Sequence, residues 1–321
     1  MTQQQGDQAF LKTDLYGREH EMTYAGALSF LRRKYSRDLT GADVVVSGIP
    51  FDAATSNRPG ARFGPGAIRA ASVQLAELPA FPWGFDPFEH LAVLDYGDCF
   101  LDYGFPQQVV EQVEKHAATI LASGASMLTF GGDHFITYPL LRAHAKKYGP
   151  LALIHFDAHP DTWPDDGVRL DHGTMFARAA REGIIDPACS VQIGIRTHSE
   201  AQGFTVLDAP WVHEQGPKAV LAEIQRVVGE RQAYLSFDID CLDPAFAPGT
   251  GTPVAGGLSS AQALAIVRGL GNLNIVGMDV VEVAPAYDHA EITAIAAATL
   301  AHDYLCLRAL RKRDNALSSS A

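Results

Sequence analysis

Three short segments carry acids and imidazoles at spacings that suit metal binding. Gly131-Gly132-Asp133-His134 follows the run MLTF, Asp157-Ala158-His159-Pro160-Asp161 follows LALIHF, and Asp238-Ile239-Asp240 follows AYLSF. Side chains of an extended chain alternate faces with period two, so Asp157, His159 and Asp161 are expected to point one way, as are Asp238 and Asp240. His134 would join them from a third strand end, where two glycines allow a tight turn. Four carboxylates and two imidazoles at one rim would repel one another, and burying them without partners would be costly, unless cations neutralise them. Two divalent ions sharing bridging carboxylates meet that need. The oxygen-rich ligand set suits Mn²⁺ better than a thiolate-type zinc site, with zinc and iron as alternatives. Each segment alone also has a plain reading: a loop histidine, a capping acid, a strand-end cluster. All three in one chain, each behind an apolar run, favour the metal reading.

The elements that must position them are legible as well. Short aliphatic or β-branched runs occupy Asp43 to Ser47, Leu91 to Leu94, Ser126 to Phe130, Leu151 to Phe156, Val191 to Ile195, Thr205 to Leu207, Ala233 to Phe237 and Ile275 to Val281. They read as strands buried on both faces. Amphipathic segments lie between them at Pro106 to Ala122, Pro139 to Lys147, Thr174 to Glu182, Pro217 to Val228 and Ser259 to Leu270, with a last one at Ala290 to Lys312. Thr137 is expected to cap the second, with Pro139 in its first turn. This alternation predicts an α/β chain, a three-layer α/β/α domain on a mostly parallel sheet of about eight strands, with the site beyond the strands' carboxyl ends.

Composition narrows the function classes. A net charge of −12 without a strong basic patch argues against nucleic-acid binding and is compatible with a cationic substrate. No apolar run is long enough to span a membrane, and MTQQQGDQAFLKTD does not resemble a secretory signal, so a cytoplasmic protein is expected. Cys99, Cys189, Cys241 and Cys306 form no CxxC pair and read as reduced thiols. The chain is expected to be one domain, residues 1–321, with flexible ends at about 1–20 and 311–321.

GGDH, DAHPD and SFDIDCLDPAFAPGTGTP together resemble the signatures of the ureohydrolases, the family of arginase, agmatinase and formiminoglutamase. GARFGPGAIR (Gly60 to Arg69), LDHGTMF (Leu170 to Phe176) and GMDVVEVAPAY (Gly277 to Tyr287) extend the likeness from about Ala42 to about Arg308. Within the family it is strongest to the bacterial agmatinases, as FGGDHFITYPLLRAHAK, VQIGIRT and NIVGMDVVEVAPAYD suggest. The resemblance implies an arginase-like fold and two Mn²⁺ ions, one held by His134, Asp157, Asp161 and Asp238 and the other by Asp157, His159, Asp238 and Asp240. It implies a metal-bound hydroxide that attacks a guanidinium carbon. Glu282 would pair with the guanidinium through two bonds, and His172 would bind substrate and handle the leaving amine's proton. Asp161 would accept a proton while remaining a ligand, and Thr252 could bond the guanidino end or serve its turn.

For agmatine the products are urea and putrescine, which would place the enzyme in polyamine biosynthesis. Trimers or hexamers are common in the family. Pro160 stands where enterobacterial agmatinases carry Thr, and the loop TWPDDGVR (Thr162 to Arg169) is variable in the family. Asp165 and Asp166 could accept an ammonium tail or merely shape a turn. Arg169 would instead suit a carboxylate-ended substrate such as 4-guanidinobutyrate or 3-guanidinopropionate. A zinc deacetylase-like enzyme and a non-catalytic family member are the other readings.

Overall fold

The computed structural model describes residues 6–318 apart from Glu19 and Leu78, with side chains as far as Asp314. Eight strands form one sheet in the order β2-β1-β3-β8-β7-β4-β5-β6, all pairs parallel. They are β1 (Val44–Ile49), β2 (Val93–Asp98), β3 (Ser126–Gly131), β4 (Ala152–Phe156), β5 (Val191–Ile195), β6 (Thr205–Asp208), β7 (Gln232–Asp238) and β8 (Asn274–Val281). Every expected strand is present. Their aliphatic runs divide residue by residue between two cores: Ile154 and Phe156 face one, Leu153 the other; Leu128 and Phe130 face the first, Met127 the second.

Helices α2 (Gly64–Ser72), α6 (Ala209–Val228), α7 (Ser260–Arg268) and α8 (Ile292–Ser318) close the first core, and α3 (Val109–Ala122), α4 (Thr137–Tyr148) and α5 (Met175–Arg181) close the second. This is the three-layer arrangement. A short helix, α1 (Gln8–Leu11), precedes them. Among the described residues no helix is long and apolar enough to cross a membrane.

Register explains the site. β7 and β8 are last in the chain but fill the gap between β3 and β4. Phe130, Val280, Phe237 and Phe156 lie level across these four strands. The residues that follow them, Gly131, Val281, Asp238 and Asp157, form one rim at the carboxyl edge, as expected for a doubly wound sheet.

Several local expectations need correction. Thr137 does not cap α4; it lies inside the helix, and its hydroxyl donates to Asp279 Oδ2 at 2.9 Å. α6 is two helical pieces: Ala209 opens the first, where Asp208 accepts from the Trp211 amide at 2.9 Å, and beyond a kink at Gly216 (φ 75°) Pro217 opens the second, the expected segment. The glycine-rich segment holds a helix, α2, whose Arg69 grips buried Asp95 on β2 through two bonds of 2.8 and 3.0 Å.

Parts of both ends are helical and packed. Gln8 and Ala9 are buried, α8 continues to Ser318, and Arg311 donates to the Leu273 carbonyl at 2.8 Å. The remainder of the expected flexible ends, residues 1–5 and 319–321, lies outside the described residues.

Gly131 and Gly132 do not adopt a left-handed turn. A side chain at Gly132 would instead strike the Phe51 backbone. Gly132→Ala is therefore expected to lower stability by about 1–3 kcal/mol, because backbone cannot yield as a flexible side chain does. A thermal melt like that of the unsubstituted protein would contradict this.

Candidate active site

His134 opens a 3-10 turn whose N-terminal residue, Asp133, accepts from the Phe135 amide at 3.1 Å. The other Asp133 oxygen accepts from Ala54 N at 2.8 Å and ties the 51–56 loop to the rim. The His134 ring is buried, and its Nδ1 lies 3.0 Å from Asp157 Oδ2, 3.1 Å from Asp161 Oδ2 and 3.2 Å from Asp238 Oδ2. Despite these distances Nδ1 has no partner in hydrogen-bonding geometry.

The other ring nitrogen explains why Nδ1 is free. Nε2 lies 2.8 Å from Ser236 Oγ, and Ser236 spends its single proton on buried Asp279 Oδ1 at 2.7 Å. Nε2 must therefore donate, which leaves a lone pair on Nδ1 among the three carboxylates. Burial alone would lower this ring's proton affinity, but the three carboxylates raise it well above the ordinary value. The spot attracts positive charge.

The acids converge, but not because the chain stays extended. β4 ends at Phe156, and Asp157 Oδ1 accepts from His159 N at 2.6 Å. Asp161 sits at φ 53°, in the left-handed region that is costly for most residues. Asp238 Oδ1 accepts from Asp240 N at 2.8 Å and starts the turn Ile239–Cys241. Turns of this kind aim the carboxylates inward.

A second group surrounds His159. Its Nδ1 is 3.2 Å from both Asp157 Oδ1 and Asp240 Oδ2. Burial opposes a proton here, yet Asp240 and Asp157 push the His159 pKa up to about 12. Burial, reinforced by neighbouring carboxylates, raises Asp161, Asp238 and Asp240. Asp157 is lowered against its burial, because His134, His155 and His159 surround it.

Ligand atoms of His134, His155, Asp157 and Asp161, and separately of Asp157, His159 and Asp240, lie within 4.8 Å of one another. Asp157 is common to both groups. His155 has a different task from the others: Gln192 Nε2 contacts its Nδ1 at 3.2 Å, and its Nε2 meets Asp157 Oδ2 at 2.8 Å, so it steadies that carboxylate.

Glu282, one residue beyond β8, has φ 64°. Its Oε1 accepts from the His134 amide at 2.8 Å and faces His172 Nδ1 at 3.0 Å, while its buried Oε2 has no partner. Only one carboxylate oxygen is thus uncommitted, where a two-bond fork would use both. The nearby His172 Nε2 receives the Ser56 amide at 3.1 Å. A backbone N–H can only donate, which favours a neutral ring protonated at Nδ1. Against burial, Glu282 pushes the same ring's pKa up to about 9. The Ser56 amide holds the ring neutral, and cations in the cluster would oppose a charged one.

Thr252 Oγ1 donates to Asp240 Oδ2 at 3.3 Å, which places it at the cluster. Asp165 is not available to a substrate. Its side chain is 1% exposed and is held by Arg178 and Arg181. Asp166 accepts from the Val168 and Arg169 amides at 2.9 Å, as a turn residue does. The Arg169 side chain is 74% exposed, 3.6 Å from Asp171 Oδ2.

The model of the arginase family matches residues 42–306. The chain belongs to the arginase family. It is a ureohydrolase, the enzymes of this family are binuclear metal enzymes, and the deacetylase reading falls away. Among its relatives in the arginase family, an agmatinase of Chromobacterium violaceum is 64% identical over 310 residues, 96% of each chain. The structure of a hypothetical agmatinase from Burkholderia thailandensis superposes with a TM-score of 0.95 at 65% identity, over 96% of this chain and 99% of that one. Proclavaminate amidino hydrolase from Streptomyces clavuligerus gives 0.84 at 41%, over 90% and 99%.

Sequence reasoning missed His155, Ser236, Asp279 and Ser56. The signal for the first two was present: His155 and Ser236 stand two residues before Asp157 and Asp238, on the same strand faces.

Proposed function

We propose that this ureohydrolase hydrolyses the guanidino group of agmatine to urea and putrescine. The observation that carries the reading is a buried group of imidazoles and carboxylates, one imidazole nitrogen left without a hydrogen bond, beside one uncommitted carboxylate oxygen, Glu282 Oε2. The donor set fits two divalent cations, taken as Mn²⁺ from its oxygen-rich chemistry. His134, Asp157, Asp161 and Asp238 would hold one, and Asp157, His159, Asp238 and Asp240 the other, with Asp157 and Asp238 shared. When bound, the ions neutralise the carboxylates and acidify a water.

The chain's own residues supply the rest. Glu282 Oε2 takes a guanidinium N–H and fixes the planar group in place, while its Oε1 stays bound to the His134 amide and His172. Attack on the central carbon converts a resonance-stabilised cation into a tetrahedral centre. Asp161 accepts the proton released there while remaining a ligand. His172, held neutral between Ser56 and Glu282, takes up that proton at its open nitrogen and gives it to the departing nitrogen, and the C–N bond breaks. Thr252 holds Asp240 in place.

Metal binding should depend steeply on pH. Without metal, His159, its pKa pushed up to about 12, carries a proton at neutral pH. Ligation displaces it, so affinity rises with pH. Mn²⁺ titrations at pH 6.5 and 8.5 are expected to show clearly tighter binding at the higher value; equal affinities would contradict this. Ser236→Ala removes the acceptor for His134 Nε2 and is expected to weaken metal binding about 10–100-fold, the usual cost of losing such a support. Unchanged affinity would refute that role.

Carboxylate-ended substrates, 4-guanidinobutyrate or 3-guanidinopropionate, form the second reading, motivated by Arg169 beside the loop. The decisive experiment measures urea and amine release from agmatine, arginine and 4-guanidinobutyrate by the Mn²⁺-loaded protein. Release from agmatine is expected. Release only from 4-guanidinobutyrate would replace the substrate, and none from any would favour a non-catalytic member. We also propose one domain, a cytoplasmic location, and a homo-oligomer, trimer or hexamer, that light scattering would test.

A further inference from the structure

A guanidino group seated at Glu282 must lead its tail outward past the residues that flank His172 and His159. Burial falls along that direction: Glu282 is 1% exposed, His172 8% and Trp163 39%. Trp163 stands two residues beyond Asp161. A side chain on Gly173, next to His172, would strike its ring, and the ring centroid is 6.4 Å from that of His159. The indole therefore lines the way out between the two histidines.

The ring is fixed before any ligand arrives. The Trp163 amide donates to the Gly173 carbonyl at 3.1 Å, and its indole Nε1 donates to the His198 carbonyl at 3.2 Å. Bare Gly173 lets the ring lie close. Three carboxylates of the surrounding loop are otherwise committed. Asp165 is buried with two arginines, Asp166 serves its own turn, and Asp171 accepts from Gly173 N at 2.9 Å while facing Arg169. Within this loop a cation meets an aromatic face rather than an uncommitted acid; the exposed Glu200 stands on the separate segment whose His198 carbonyl holds the indole.

We propose that Trp163 is the specificity-determining residue for the substrate's tail, its indole face receiving the terminal ammonium of agmatine by a cation–π contact. This rests on the agmatine reading and deepens it. A fixed ring near neutral chain atoms attracts a cation without rearrangement and offers a carboxylate nothing.

The test compares agmatine with butylguanidine, which keeps the guanidino group and four carbons but ends uncharged. The unsubstituted protein is expected to prefer agmatine by roughly tenfold in kcat/KM, the scale of a partly desolvated cation–π contact. Trp163→Leu should remove most of that preference through a higher KM for agmatine, with metal content unchanged and butylguanidine affected less than about twofold. Trp163→Phe, which keeps an aromatic face, should retain most of it.

Equal losses for both substrates in Trp163→Leu would overturn the proposal and make the ring a packing element, as would a phenylalanine variant no better than leucine. If the leucine variant does not fold, absence of any preference in the unsubstituted protein overturns it as well. An unsubstituted protein that releases no urea from agmatine fails on the substrate itself, before any variant is made.

Discussion

Asp238→Ala is expected to abolish both activity and most bound metal. Asp238 lies 3.2 Å from the lone-pair nitrogen of His134, its other oxygen holds the Asp240 amide, and it is proposed to bridge both ions. Losing it removes a ligand from each ion and loosens Asp240. Loss of a mere supporting partner costs about 10–100-fold in metal affinity or activity, so loss of a shared ligand should exceed roughly a thousandfold in rate. Asp157→Ala should do the same, since Asp157 belongs to both ligand groups. Elemental analysis beside urea release checks it. An Asp238→Ala protein with full metal content and full turnover would sink the assignment.

His172→Phe should separate metal from chemistry. The ring hydrogen-bonds to Ser56 and Glu282, not to a proposed ligand. Phenylalanine fills the space but cannot hold or pass a proton. Metal content is expected to stay at the level of the unsubstituted protein while kcat falls by about 10²–10⁴, the usual worth of a positioned acid or base. Near-normal turnover would show that another group protonates the departing amine. Loss of metal as well would mean that His172 supports the cluster through Glu282, whose Oε1 also holds the His134 amide.

The fold was largely legible because strands buried on both faces are apolar at most positions. Runs such as LALIHF and AYLSF leave little choice of element, and their order leaves little choice of layer. The rim was legible for a related reason: an acid directly after such a run lies at a strand end. What period two could not convey was how the acids converge. Asp161 does so from a left-handed backbone and Asp240 from a 3-10 turn, and neither conformation is written in a spacing.

The supporting residues were hidden for a different reason. Asp279 matters through Ser236, two strands meeting far apart in sequence, and Thr137 looked like a helix cap until Asp279 faced it. Asp165 likewise looked free to meet an ammonium tail. Its partner Arg178 lies on α5, 13 residues away, and nothing in PDDG announces it. Tertiary partners of polar side chains were the information that pattern alone lacked.

The most direct test of the account titrates metal-free protein with Mn²⁺ while urea and putrescine release from agmatine is followed in the same samples. The account predicts that turnover is complete only when about two ions are bound per chain, with the two products formed in equal amounts. Full turnover at one ion or none, or metal uptake to two ions without release of either product, would contradict it.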